Sequence, residues 1–344
     1  MVSEAVGAPV TDTFGRPLRS LRVSVTDRCN LRCSYCMPEA HYTWLPKPSL
    51  LTFEETERLV RAFVANGVTK IRLTGGEPLL RRELPGLVAR LAAVPGLDDL
   101  ALTTNATRLA AMAPALKAAG LQRLTISLDT LVPERLLAHA RSHEHAAVLE
   151  GIAAAATAGF RGTKINAVIM RGVNDDELVP LLAFAIARGL EMRFIEYMDV
   201  GGATQWSADA VVSSDEMRAR LSAHFGPITP VPRDDDPSAP AERFRLADGT
   251  IFGIIASTTR PFCRDCDRAR LTADGTFFTC LYGTSGSDLR DRMRLGATDA
   301  ELQAWIADVW KRRSDRGAEQ RAQLARRTAQ RGVDLHREMH VLGG

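Results

Sequence analysis

The run LRVSV, residues 21–25, leads without a break into TDRCNLRCSYC, residues 26–36. Successive residues of a strand point to opposite faces, so Leu21, Val23 and Val25 share one side of a sheet and Arg22 and Ser24 the other. Just beyond this half-polar strand come Cys29, Cys33 and Cys36, three thiols within eight residues. A structural tetrahedral metal takes four ligands. The triplet therefore leaves one position to be filled from afar or kept open for chemistry.

The strand is the first of a series. KIRLT (70–74), LALTT (100–104), RLTIS (123–127), KINAVI (164–169) and MRFI (192–195) are further β-prone runs separated by helical segments. After Thr52 the helix signals are strongest: Thr52 and Glu55 fit a capping box, Leu59, Val60, Phe63 and Val64 form an apolar stripe, and Asn66-Gly67 supplies a stop. Six strand–helix units predict a parallel sheet, and the pattern alone allows an open doubly wound sheet or a barrel. The strand faces favour the barrel. One set of faces is apolar (Ile71 with Leu73, Leu100 with Leu102, Leu124 with Ile126). The other carries Arg22, Lys70, Arg72, Thr74, Thr103, Thr125, Ser127, Lys164, Asn166 and Arg193. A closed eight-stranded barrel fills its interior with Val, Ile and Leu, so a polar, net-basic interior points to a wider or incomplete barrel around a large anionic ligand. Polar groups also gather beyond the strand ends, at Cys29, Gly75-Gly76-Glu77-Pro78, Thr104-Asn105, Asp129 and Tyr197-Met198, the edge where such folds build active sites.

At 344 residues, 45% apolar and 25% charged, the chain has the composition of a globular protein with a real core. It has no apolar run of the roughly 20 residues needed to span a bilayer. The opening MVSEAVGAPVTDTFGRP lacks a basic n-region and an apolar h-region, so the expected compartment is the cytoplasm. A net charge of +3 is too small to argue for nucleic acid, so none is expected as a partner, and the basic run over 311–331 reads as a solvated helix face rather than a binding stripe. In a reducing compartment six cysteines speak for metal binding or catalysis rather than disulfides. They form two sets of three: Cys29, Cys33, Cys36 and Cys263, Cys266, Cys280. His41 could complete a Cys₃His zinc site at the first set. An iron–sulfur cubane held by three thiolates would instead keep one iron open.

The spacing Cys29-x-x-x-Cys33-x-Tyr35-Cys36, with GGEP one strand later, resembles the radical S-adenosylmethionine superfamily. CRDCDRAR with Cys280 and the terminal Gly343-Gly344 resembles its GTP 3′,8-cyclase family, which opens molybdenum cofactor biosynthesis. The resemblance runs from about Arg16 to the last residue. It implies an α/β fold, a partial (βα)₆ TIM-like barrel over 16–226, with a C-terminal region carrying a second iron–sulfur cluster. That region, over 244–344, would bind substrate and end in the Gly-Gly tail; the Pro/Asp-rich stretch 227–243 reads as a loop or linker.

The implied cofactors are two [4Fe-4S] clusters, one on each cysteine set, and S-adenosylmethionine, contacted by Tyr35, Gly76, Ser127 and Met198. GTP contacts would fall on Arg22, Arg72, Thr103, Lys164, Arg268, Ala269 and Arg270, with Lys70 and Arg193 in second rank. The implied reaction cleaves S-adenosylmethionine to a 5′-deoxyadenosyl radical that takes the ribose C3′ hydrogen of GTP, and C3′ then attacks guanine C8. The implied partners are a low-potential electron donor and a downstream cyclic pyranopterin monophosphate synthase, with the chain a monomer or homodimer. Relatives often carry Gly after Thr-Thr-Asn, where this chain has Ala106. Two other classes fit parts of the pattern: a radical peptide-modifying enzyme with an auxiliary cluster, and a non-catalytic zinc-binding protein.

Overall fold

The computed structural model describes residues 9–39, 41–200, 206–232, 237–321 and 338–343. The six β-prone runs all form strands: β1 (Ser20–Ser24), β2 (Lys70–Thr74), β3 (Asp99–Thr104), β4 (Arg123–Ser127), β5 (Lys164–Ile169) and β6 (Glu191–Glu196). They pair in chain order and in parallel. Between them run α1 (Phe53–Ala65), α2 (Leu84–Ala92), α3 (Leu109–Ala118), α4 (Pro133–Ala140) and α5 (His145–Thr157), then α6 (Leu178–Ile186). α1 starts as its sequence requires, with Thr52 Oγ1 accepting from Glu55 N and the Glu55 carboxylate accepting from Thr52 N. α7 (Ser214–Phe225) follows β6.

The apolar strand faces and the helix stripes make one core, in which Leu21, Ile71, Leu102, Ile126, Ile165 and Phe194 meet Leu59, Phe63, Leu87 and Leu181. Each such side chain contributes roughly 1.5–3 kcal/mol by leaving water. The stripe of α1 also reaches the C-terminal part of the chain, where Phe63 meets Phe277 edge-on at 5.1 Å.

Past residue 226 the structure departs from the expected loop or linker. Thr229–Val231 is strand β7, and Glu242 opens β8 (Glu242–Arg245); residues 233–236 lie outside the described residues. The following strands are β9 (Ile251–Ile255), β10 (Arg268–Leu271), β11 (Thr276–Phe278) and β12 (Ser287–Asp288), followed by helices α8 (Leu289–Arg294) and α9 (Asp299–Lys311). β9 pairs in parallel with β6, and β10 in parallel with β1. The sheet order is β12-β11-β10-β1-β2-β3-β4-β5-β6-β9-β8-β7, an open sheet of the partial-barrel kind. The open edges of β1 and β6, with their unpaired backbone groups, are thus covered by later segments of the same chain. Phe252, Ile254, Ala269, Leu271 and Trp310 join the same core, so residues 244–321 extend the barrel and build no separate core. Among the described residues no helix is long and apolar enough to cross a membrane.

Candidate active site

The first thiol loop is tied to the GGEP loop through backbone. Gly76 N donates to Thr26 O at 2.8 Å and Glu77 N to Arg28 O at 2.7 Å. A Cβ on Gly76 would lie 2.4 Å from Arg28 O, so this glycine is required by the approach of the two loops themselves. The buried Glu77 carboxylate accepts from Leu79 N, Thr104 Oγ1 and Asn105 N at 2.7–2.9 Å, locking the ends of β2 and β3 together. Burial pushes its carboxyl up to about 7.

From the other side the C-terminal end of α4 receives the loop, with Arg32 N donating to Ala140 O and Ser34 N to His139 O. Leu31, Leu136 and Ala140 make an apolar wall against Cys29 and Cys33. Burial, with the charge of Glu77, pushes the Cys29 thiol up to about 11; burial also raises Cys33 and Cys36, each further disfavoured by its neighbours. Three thiolates here need a cationic centre to be stable, and an iron–sulfur cluster fits that donor set. Tyr35 Oη donates to Asp129 Oδ2 at 2.9 Å, while Ser127 closes β4 and Met198 follows β6, both half-buried at the same sheet edge. His41 is exposed; a histidine whose ring lies near a thiol is His139, which sequence reasoning missed. Nothing in an apolar helical stripe distinguishes it from a core residue.

Strand register aligns the cations. Arg22 stands beside Arg270 on β10 and beside Arg72 on β2, giving a row of three guanidinium groups across neighbouring strands. Burial lowers the pKa of Arg22, with Arg270, Arg72 and Arg268 adding repulsion. Burial and nearby arginines likewise bring Arg72 and Arg270 to about 10 and Lys164 to about 8. Arg72 Nη1 donates to Thr103 Oγ1 at 3.2 Å and Thr125 Oγ1 at 2.9 Å, so Thr103 faces the same interior. Arg193 is paired to Glu191 at 2.7 Å, and Lys70 lines a cavity of about 290 Å³ with Arg19, Arg264 and Asp267 at the amino ends of the strands. Ala269 alternates with these arginines and packs in the core, which leaves only its backbone for a ligand.

The second triplet is built differently. Burial would raise the Cys266 thiol, but Arg268 and Arg313 overcome it and bring it down to about 6; Arg268 Nη2 donates to its sulfur at 3.5 Å. Burial raises Cys263, opposed by backbone N–H groups of Glu319 and Ala318, and raises Cys280, opposed by those of Tyr282 and Gly317. The segment after α9 thus folds over the thiols, and a Cβ on Gly317 would lie 3.0 Å from Cys280 Sγ. Buried Arg313, which the sequence reading placed on a solvated face, donates to Cys266 O at 2.7 Å, and Arg16 donates to Cys263 O at 2.8 Å. Residues 322–331 of that face lie outside the described residues.

Beside this interior ends the tail. Arg270 Nη1 donates to Leu342 O at 3.0 Å and to Gly343 O, and a Cβ on Gly343 would strike Thr74 Oγ1. Gly344 lies outside the described residues.

Three clustered thiols at the sheet's edge, joined to a glycine turn over a polar interior, define a protein of the radical S-adenosylmethionine type. The family description Radical SAM superfamily matches residues 23–185, and Molybdenum Cofactor Synthesis C matches residues 190–319. GTP 3′,8-cyclase 3 of Mycobacterium bovis is 52% identical, covering 98% of this chain and 91% of the relative. GTP 3′,8-cyclase 1 of Mycobacterium tuberculosis is 50% identical over 100% and 98%, and GTP 3′,8-cyclase of Acidothermus cellulolyticus 53% identical over 91% and 89%. The chain belongs to the GTP 3′,8-cyclase family. Radical SAM membership implies a [4Fe-4S] cluster and S-adenosylmethionine. Among solved structures, Streptococcus suis SuiB bound to S-adenosylmethionine shares the fold, with TM-score 0.59 at 16% identity over 88% of this chain and 67% of that one.

Proposed function

We propose that the protein cyclises GTP to (8S)-3′,8-cyclo-7,8-dihydroguanosine 5′-triphosphate, the first step of molybdenum cofactor biosynthesis, with one [4Fe-4S] cluster on Cys29, Cys33 and Cys36 and a second on Cys263, Cys266 and Cys280. The observation that carries this reading is the row Arg270, Arg22 and Arg72, set side by side by strand register, with Cys266 near Arg22 and Arg270. Mutually repelling cations that are buried or half-buried are costly unless an anion of several charges lies among them. A triphosphate meets that demand.

When bound, the first cluster supplies the electron for reductive cleavage of S-adenosylmethionine. The chain's own residues do the rest. Gly76 lets the GGEP loop lie directly against the thiol loop, Tyr35 is fixed by Asp129, and S-adenosylmethionine would contact Tyr35, Gly76, Ser127 and Met198 at this edge. Arg22, Arg72, Arg268, Arg270 and Lys164 neutralise the phosphates, and Thr103 orients Arg72. A cluster on the second thiol set would hold the guanine end, so that the nucleotide would be gripped at both ends with C3′ near C8. Gly343 reaches this interior under the hold of Arg270. Six free thiols suit a reducing cytoplasm, where a low-potential carrier delivers electrons and the next synthase takes the product.

The test is anaerobic incubation of the reconstituted chain with GTP, S-adenosylmethionine and a strong reductant, followed by mass analysis. A nucleotide isomeric with GTP, formed together with 5′-deoxyadenosine, is expected. Stoichiometric zinc with no iron, or a modified peptide with GTP left intact, would refute the reading.

A further inference from the structure

One buried side chain beside the first thiol loop has no part in the reaction described above. His139, on α4, is 6% exposed, and its ring packs against Tyr35 with centroids 5.3 Å apart. Its Nδ1 lies 2.9 Å from Ser34 Oγ, while its Nε2 is buried with no hydrogen-bond partner. Asp129 Oδ2 stands 3.6 Å from Nε2, beyond hydrogen-bond length, and already accepts from Tyr35. Asp129 Oδ1 is engaged by Val168 N. Cys33 Sγ, an Asp129 oxygen and a ring nitrogen of His139 all lie within 4.8 Å of one another. A buried polar atom left without a partner in an otherwise satisfied site points to a group that arrives later.

We propose that His139 is a positioning residue that donates its Nε2–H to the sulfur of Cys33 and raises the reduction potential of the cluster held there. The inference rests on the reading that the first triplet carries a [4Fe-4S] cluster. With the Ser34 hydroxyl donating to Nδ1, the ring proton sits on Nε2, the nitrogen that has no partner. Reduction adds one electron, from a low-potential donor, to the iron–sulfur unit and makes it more negative by one charge. An N–H aimed at a ligand sulfur stabilises that more negative state, so the reduced fraction at a given poise rises. The helix that carries His139 also accepts from Arg32 N and Ser34 N, so donor and thiol loop are held by the same element.

The experiment is a redox titration of the full-length, anaerobically reconstituted chain, reading the reduced-cluster EPR component that changes on adding S-adenosylmethionine, with dithionite as reductant. His139→Leu should lower the ratio of reduced to oxidised cluster about tenfold at fixed poise, equivalent to about 59 mV for one electron. His139→Gln, which keeps a donor, should recover most of the shift, and Ser34→Ala should fall between. A midpoint unchanged within about twofold in His139→Leu, with iron content intact, overturns the proposal, as does a His139→Gln shift equal to that of Leu. Should His139→Leu fail to load iron, Ser34→Ala decides, since an unchanged midpoint there also overturns it. A wild-type chain with no signal responsive to S-adenosylmethionine would overturn the reading of the first triplet itself, a result distinguishable from an unmoved midpoint.

Discussion

Lys164 shows how a single residue carries both the cost and the use of a charged interior. Burial and the neighbouring Arg193 bring its ammonium down to about 8, against about 10.5 in an unfolded chain. Between those values the unfolded state binds more protons, so the Lys164 contribution to stability rises with pH over that window. Triphosphate binding should run the other way, because it needs the charged form. GTP affinity, measured by anaerobic calorimetry without S-adenosylmethionine, should fall as pH rises through about 8, and Lys164→Arg should remove that limb. At neutral pH, alanine at Arg22, Arg72 or Lys164 should weaken GTP binding by roughly 1.5–3 kcal/mol, the range for charge-assisted hydrogen bonds, with S-adenosylmethionine binding nearly unchanged. Because Arg22 repels Arg72, Arg268 and Arg270, Arg22→Ala should also leave the unliganded protein no less stable to heat. Unchanged GTP affinity in all three variants would remove the phosphate assignment.

Among the elements, the turn after β3 explains a departure from the family pattern. Ala106 takes the left-handed conformation, φ 62°, where a side chain is strained and the family resemblance leads one to expect glycine. α5 accommodates it: Gly151 faces Ala106, and a Cβ there would lie 2.4 Å from Ala106 O and 3.1 Å from Ala106 Cβ. Gly151→Ala should therefore destabilise the fold by about 1–3 kcal/mol through overpacking between α3 and α5, read as a lower denaturant midpoint at constant slope. The tail is the opposite case, an element with little bearing on the fold. Removing Gly343 and Gly344 should leave the melting temperature and iron content unchanged while abolishing cyclisation; full activity in the shortened chain would show that the contact with Arg270 is idle.

Over the whole molecule, the segment before β1 and the segment after α9 meet at the second thiol set. Asp12, Arg16 and Arg313 form a buried cluster: Arg16 Nε donates to Asp12 Oδ2 at 2.6 Å and Arg313 Nη1 reaches it at 3.3 Å. Trp310 Nε1 donates to Arg16 O, and both arginines hold carbonyls of the Cys263–Cys266 turn. Arg313→Ala leaves Asp12 and Arg16 buried with fewer partners and should cost about 3–5 kcal/mol. It should also lower iron retention selectively at the second site, to about half the total, leaving S-adenosylmethionine cleavage at the first. Equal iron loss from both sites would show a general unfolding effect instead.

Periodicity in the sequence settled the six parallel strands: β2, β4 and β5 have the expected ends, and β1, β3 and β6 shift by a single residue at one or both ends. Alternation along a strand is a local property, so the apolar and cationic faces and the two cysteine triplets could be read from the chain alone. Which residues meet across the molecule could not. The pairing of β10 with β1, which sets Arg270 beside Arg22, joins positions some 250 residues apart through edge strands with no local code for their partner. The same holds for Arg313 beneath Cys266, for Gly151 opposite Ala106 and for the orphaned His139 beside Cys33. Such contacts are fixed by closing the sheet edges and filling one shared core. Only the tertiary structure decides them, because burial and pairing are properties of the assembled chain.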